Sequence, residues 1–265
     1  MLTATQVLLS IASGMIVGLS LGVVGGGGSI LAVPLMMYVI GVPSPHVAIG
    51  TSAVAVAVNA LINLVGHARD RNIKWPCATV FALAGMAGAA LGAEIGKSVD
   101  GAKLLAGFGV VMLAIAVLML RPRRSGHNPD VRLDRDSLPH LLPPLAGTGF
   151  GVGALSGFFG IGGGFLIVPG LVSATSMPLL NAIGSSLVSV FAFGATAAVS
   201  YTISHLVDWP VALLFILGGV GGGLAGVRLA SRLAAHRRAL MVIFSAVVGL
   251  VGLYITWKGI WIFVQ

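Results

Sequence analysis

Long apolar runs broken by short polar stretches follow one another along the whole 265-residue chain. Ten segments stand out: Thr5–Val24, Ser29–Ile40, His46–Val65, Pro76–Ala93, Leu104–Leu120, Leu141–Phe159, Phe165–Ala174, Leu179–Ile203, Pro210–Val227 and Leu240–Val264. A helix needs ~20 apolar residues, within a range of ~17–25, to cross ~30 Å of hydrocarbon. Eight segments approach or meet that length. The second and seventh are too short, and the pattern predicts half-helices or the return limbs of re-entrant hairpins there. Between the fifth and sixth lies RPRRSGHNPDVRLDRDSLP, charged and punctuated by proline, which reads as a solvated linker. The predicted fold is therefore an all-α polytopic membrane protein, with a first unit over 1–120, a linker over 121–140 and a second unit over 141–265.

The two units repeat. GVVGGGGSILAVP, Gly22 to Pro34, aligns with GFFGIGGGFLIVP, Gly157 to Pro169, at an offset of 135, and Pro43 meets Pro178 at the same offset. After a slip of one residue, AIGTSA from Ala48 meets AIGSSL from Ala182 at an offset of 134. Trp75-Pro76 then meets Trp209-Pro210, and Gly85, Gly88 and Gly92 meet Gly219, Gly222 and Gly226. So many matches in one order imply duplication of a helical unit.

Charge decides how the copies are related. If each unit crosses an odd number of times, Arg69, Arg71, Lys74, Arg121, Arg123, Arg124, Arg132, Arg135, Arg228, Arg232, Arg237 and Arg238 share one face, against Lys97, Lys103 and Lys258, a split of 12 to 3. Counting the first two segments of each unit as one crossing gives 9 to 6. Basic residues gather on the cytoplasmic face, so the first arrangement is predicted, with an inverted second unit, periplasmic termini and a cytoplasmic linker. Inverted repeats are a common plan for secondary transporters.

Composition narrows the class further. Hydrophobic residues make up 57% and charged residues 8%, against ~25% charged in a soluble domain, so the chain lacks the polar surface a water-soluble globule requires. The mean hydropathy is +1.04. The net charge of +8 sits in the segment-flanking loops and reads as an orientation signal rather than a nucleic-acid surface. The single cysteine, Cys77, excludes an internal disulfide and a thiolate metal cluster. No Lys or Arg precedes the first apolar stretch, and that stretch belongs to the repeat, so it is expected to stay in the mature protein.

Candidate chemistry is sparse. The glycine clusters Gly25 to Gly28 (with Gly26, Gly27 and Gly28 as candidate site residues) and Gly160 with Gly162, Gly163 and Gly164 each open a short segment. Glycine leaves backbone amides uncovered, and a helix N-terminus behind it supplies unpaired N–H groups and a positive dipole end, which together suit an anion. A tight turn or close helix packing is the competing reading. The hydroxyls of Thr51, Ser52, Ser185 and Ser186, at matched positions, could donate to an oxyanion or simply bond between helices. Asn59 and Asn63 lie one turn apart and read as interhelical glue or as the lining of a polar cavity; their mates are Phe193 and Ala197. The seven acids, Asp70, Glu94, Asp100, Asp130, Asp134, Asp136 and Asp208, fall in loops or at segment ends, so cation binding by a mid-membrane carboxylate is not expected. His67 and His205 border segments and read as interfacial anchors. No metal-ligand spacing, GxSxG elbow or P-loop lysine points to an enzyme, a metal or a cofactor.

The duplicated motif closing on proline, followed by AIGTS and AIGSS and then by WP, resembles the TauE/SafE sulfite exporter family over nearly the whole chain outside 121–140. That resemblance implies an inner-membrane carrier of sulfite, sulfoacetate or related organosulfonates. It also implies about eight spans, fewer than the ten segments, so that the two short ones would not cross independently. The chain departs from symmetry at Ser29/Gly164 and Asn59/Phe193, which suits one asymmetric central site. A passive anion channel and a non-transporting membrane assembly or accessory protein are the alternatives.

Overall fold

In a computed structural model, described for residues 2–69, 72–120, 137–160, 164–232 and 237–264, the chain is helical and the described residues contain no strand. Helix α1 (Ala4–Val24) runs into a broken segment made of a 3-10 stretch (Gly25–Leu31), a single turn α2 (Ala32–Pro34) and a π-helical stretch (Leu35–Ile40). Then follow α3 (Pro45–Arg69), α4 (Trp75–Ser98) and α5 (Gly101–Leu120). The second unit comprises α6 (Leu138–Phe159), α7 (Gly164–Thr175), α8 (Leu179–Ile203), α9 (Trp209–Arg232) and α10 (Arg237–Val264). Seven of these helices are long and apolar enough to cross a membrane. Of the linker expected over 121–140, residues 121–136 lie outside the described set, and α6 begins at Leu138.

Helix boundaries follow local chemistry. Pro76, lacking an N–H, occupies the first turn of α4, where an unpaired amide would otherwise point outward. Asp208 and Asp100 cap α9 and α5: one carboxylate oxygen of Asp208 accepts from Val211 N at 3.2 Å, and one of Asp100 from Ala102 N at 3.0 Å. The broken segment and α7 both stop at a left-handed residue, Gly41 at φ 82° and its mate Ser176 at φ 55°.

Close approaches between helices fix their directions. A Cβ built at Gly14 would fall 2.0 Å from the carbonyl oxygen of Phe215, and one at Gly18 2.1 Å from that of Gly219, so α1 and α9 run parallel. The mated pair behaves alike: Gly88 approaches Phe150 and Gly92 approaches Ala154, making α4 and α6 parallel. Asn59 meets Gly219 and Asn63 meets Gly223, so α3 is parallel to α9 as well. By contrast, Gly50 abuts Tyr201 while Ala57 abuts Gly194, so α3 and α8 are antiparallel. Gly109 meets Thr256 and Ser245 donates to Ala116 O at 2.7 Å, so α5 and α10 are antiparallel too.

Both antiparallel pairs are repeat mates, so the second unit is turned over relative to the first. The units also interlock, because α1 packs on α9 and α6 on α4, each first helix against the other unit's fourth. Since α1 and α3 both run with α9, the chain between them must carry back through the thickness that α1 crossed. Likewise α6 and α8 both run with α4: Gly85 meets Phe193, and Lys97 bonds Ser204 three turns on. Here the structure departs from the eight-span expectation, because each short segment returns the chain. The 3-10 stretch helps, since it rises ~2.0 Å per residue where an α-helix rises ~1.5 Å.

Candidate functional site

The centre of the molecule is the crossing of α3 and α8, the two most completely enclosed long helices. Thr51 and Ser185, one on each, are fully buried and do the same job at opposite ends. Thr51 Oγ1 accepts from Asp208 N at 2.9 Å, and Ser185 Oγ accepts from Lys74 N at 2.9 Å. Asp208 and Lys74 are themselves mates at an offset of 134 and immediately precede α9 and α4. Each hydroxyl therefore ties the approach to one unit's fourth helix onto the other unit's third helix. Ser52 Oγ donates to Ile49 O at 2.8 Å and to Gly160 O at 3.2 Å, which joins α3 to the glycine turn of the second unit. Ser186 Oγ donates to Ile183 O at 2.7 Å within its own helix.

The first glycine cluster makes a reversal. Gly28 packs against Ser20 and Leu21, seven and eight residues earlier, which a continuing helix would leave roughly 10–12 Å behind. A Cβ there would fall 2.5 Å from Leu21 N, so only glycine lets the strand of chain lie this close. Gly27 is buried beside it, and 3-10 bonding along Gly25–Leu31 engages amides that an open turn would leave free. In the second unit Gly160, at φ 63°, ends α6 in the left-handed conformation, and its N–H donates to Gly157 O. Gly164 opens α7 and is buried, whereas Gly162 and Gly163 lie outside the described residues. The two turns sit towards opposite ends of the bundle, one beside Leu21 and the other beside Ile49; what meets is the 3-10 stretch and α7.

Asn59 and Asn63 present a different surface. Both are buried in the junction of α3 with α9. Asn63 Nδ2 donates to Asn59 O at 2.8 Å, along its own helix rather than across to another. Among the described residues, neither amide atom of Asn59 has a hydrogen-bond partner. Its mate Phe193 stacks on Phe81, with ring centroids 6.2 Å apart, so the unit with the aromatic fills a position where the other holds an amide. An unpaired amide away from water costs ~1–3 kcal/mol on protein scales. The sequence reading missed three buried hydroxyls of the same kind: Ser156, Ser189 and Tyr201 lack partners among the described residues. For Ser189 a signal existed, since it follows Ser185 by one helical turn.

Charge stays at the ends. Glu94 pairs with Lys97 at 2.7 Å and accepts from Ser200 Oγ at 2.8 Å, five residues before Val99 closes α4. Among the described residues, no group of three or more metal-ligating side chains is assembled.

Interlocked inverted repeats of apolar helices, with broken segments between them and polar groups enclosed inside, are the architecture of a membrane transporter. Comparison with known proteins agrees, and it is specific: the chain belongs to the TauE/SafE sulfite exporter family, whose profile, described as "Sulfite exporter TauE/SafE", matches residues 10–255. It is 46% identical over 258 residues to a "Probable membrane transporter protein" of Xylella fastidiosa strain Temecula1, covering 97% of this chain and 98% of the relative. It is 29% identical to the "Probable membrane transporter protein YunE" of Bacillus subtilis, covering 93% of this chain and 96% of that protein. A probable membrane transporter of Methanocaldococcus jannaschii, MJ0441, is 27% identical over 260 residues, with 93% and 94% covered. No solved structure matches the chain.

Proposed function

We propose that this protein exports a small sulfur-containing anion, such as sulfite, sulfoacetate or another organosulfonate, across a bacterial inner membrane by alternating access. The family's description supports the substrate class, and the inverted, interlocked units supply two related halves that can rock about a shared centre. On this reading the termini face the periplasm and the linker expected over 121–140 the cytoplasm, in keeping with the 12 to 3 division of basic residues. Backbone around Gly26 to Gly28 and at Gly164, with Ser52 and Ser186, is our candidate lining of the route; Gly162 and Gly163, expected in the same role, lie outside the described residues. Thr51 and Ser185 contribute chiefly by holding the fourth helices in place.

The observation that carries this reading is Asn59, whose amide is fully buried and unpartnered where its mate is a packed phenylalanine. Its N–H groups offer an oxyanion two donors without bringing a counter-charge into the bilayer. Asn59→Leu is the test, because packing and binding roles give opposite results. Removing an unsatisfied amide leaves stability unchanged or higher, while saturable uptake of labelled sulfite and sulfoacetate into proteoliposomes, and counterflow, are lost. Full transport by a stable Asn59→Leu protein would refute the site. Conductance without saturation in the parent would make it a channel, and absence of both binding and flux would make it an accessory protein.

A further inference from the structure

A second place in the molecule has the features of a binding site, and it lies away from the α3–α8 crossing. At the end of the bundle that carries the α4–α5 turn, a cavity of about 590 Å³ opens between the π-helical stretch, the start of α3, the start of α5 and the end of α10. Met37, Pro43, Leu105 and Ile255 give it an apolar wall, and Tyr38, His46, Asp100 and Lys258 stand around it. The polar groups differ in what they have left to offer. His46 Nε2 donates to Val99 O at 3.1 Å, and one carboxylate oxygen of Asp100, Oδ1, caps α5 by accepting from Ala102 N and Lys103 N. Lys258 is exposed and meets no carboxylate within ion-pair distance among the described residues. Instead its ammonium lies 5.0 Å from the ring of Tyr38 and 5.7 Å from that of Tyr254, and those rings meet edge to face at 5.3 Å.

We propose that this cavity binds the oxyanion end of an amphiphilic ligand, with Lys258 taking the charge and the apolar wall taking a short hydrocarbon body. Two aromatic rings hold the ammonium at the mouth without neutralising it, so its attraction for an oxyanion is retained. The volume argues against a bare ion: it equals roughly twenty waters at ~30 Å³ each, in the range of sites for small organic ligands. The wall is also built deliberately. A π-helical turn is rare and collects at functional sites, and here it sets Met37 and Tyr38 side by side in the lining. The mate of Tyr38 is Ser173, within the α-helix α7, so inversion does not reproduce this wall at the other end. The site thus goes beyond the transport reading and does not depend on it.

Calorimetric titration of purified protein with 1-butanesulfonate and with sulfate tests the proposal, alongside native mass spectrometry from phosphatidylglycerol and phosphatidylcholine nanodiscs. Each buried methylene is worth about fourfold in affinity, so butanesulfonate should bind at least tenfold tighter than sulfate. Lys258→Gln should weaken it tenfold or more, while Lys103→Gln, an exposed lysine outside the lining, leaves it unchanged. Retention of phosphatidylglycerol that depends on Lys258, without binding of the soluble sulfonate, supports the site and identifies a lipid headgroup as the ligand. Asn59→Leu should leave the Lys258-dependent part of butanesulfonate binding and of phosphatidylglycerol retention intact, whatever it removes at the transport site, which separates failure here from failure of that site. The proposal is overturned if Lys258→Gln affects neither ligand, if Lys103→Gln costs as much, or if sulfate binds as tightly as butanesulfonate with no lipid preference. Melting temperatures of both lysine variants confirm that they fold.

Discussion

Adjacent glycines on α9 provide a sharp test of how the units are joined. A Cβ at Gly222 would lie 2.0 Å from Met15 O and 2.8 Å from its carbon, both backbone atoms of α1 that no side-chain rotation can move. Reaching even 3.0 Å requires the parallel helices to part locally by ~1 Å, and overpacking of that kind costs ~1–3 kcal/mol. Alanine regains ~1 kcal/mol of backbone entropy relative to glycine in a helix, so Gly222→Ala should lose up to ~2 kcal/mol net and in any case fall below Gly221→Ala. Gly221, one residue earlier, faces outward with nothing within 4 Å of its missing Cβ. Gly221→Ala should therefore be neutral or up to ~1 kcal/mol more stable. The repeat adds a third arm: Gly88, mate of Gly222, would put its Cβ 2.1 Å from Phe150 O, so Gly88→Ala should resemble Gly222→Ala. Unfolding midpoints in mixed micelles titrated with dodecyl sulfate measure all three. If Gly221→Ala and Gly222→Ala shift the midpoint alike, the α1–α9 distance is not set by this contact and the parallel register is wrong.

Thr51→Val and Ser185→Ala should each cost about 1–3 kcal/mol, because the amide of Asp208 or Lys74 loses its acceptor, and Thr51→Ser should cost much less. The same unfolding titration reads these values, and unchanged stability in both would remove the cross-unit tie. A cysteine placed at Ser125 should be labelled by membrane-impermeant maleimide only after cells are opened. Buried Cys77 gives little background, and strong labelling of intact cells would reverse the orientation. Glu94→Gln should leave flux and its proton dependence unaltered, since Glu94 is exposed and bonded to Lys97 and Ser200 near the end of α4. Loss of proton-coupled flux in well-folded protein would show that this carboxylate takes part in coupling.

The helices and the inversion could be read before any coordinates, and for simple reasons. Hydrocarbon demands long apolar runs, and translocation demands a charge bias, so both leave a mark on single residues. The interlocking was less visible. Gly14, Gly18 and Gly22, like Gly218, Gly222 and Gly226, recur every four residues, the spacing that lets helices touch, but nothing in one helix says which partner its small face will meet. Position in the repeat drew attention to Thr51 and Ser185 as candidate ligand groups, and their hydroxyl chemistry suits a ligand and a backbone amide equally well; in the fold each accepts from a backbone amide. Asn59 shows the reverse. As a residue type it read as glue, and only its packing against Gly219, with both amide atoms unpaired, distinguishes it from Asn63. The pocket at Lys258 left no trace in the pattern, because it gathers residues from four separated stretches.

The exchange of first helices between the units has a consequence for how the chain can be made. Gly18 must settle against Gly219, 201 residues downstream, whereas Gly88 finds Phe150 after only 62. At ~5–20 residues per second of synthesis, α1 waits roughly 10–40 s in the bilayer before its partner exists, and α4 waits only about 3–12 s. Helix α1 must therefore persist through that wait with a face of bare glycine turned to lipid or to an insertion factor. Docking runs out of order with translation: the α4–α6 pair can close while the groove for α1, made before either, does not yet exist.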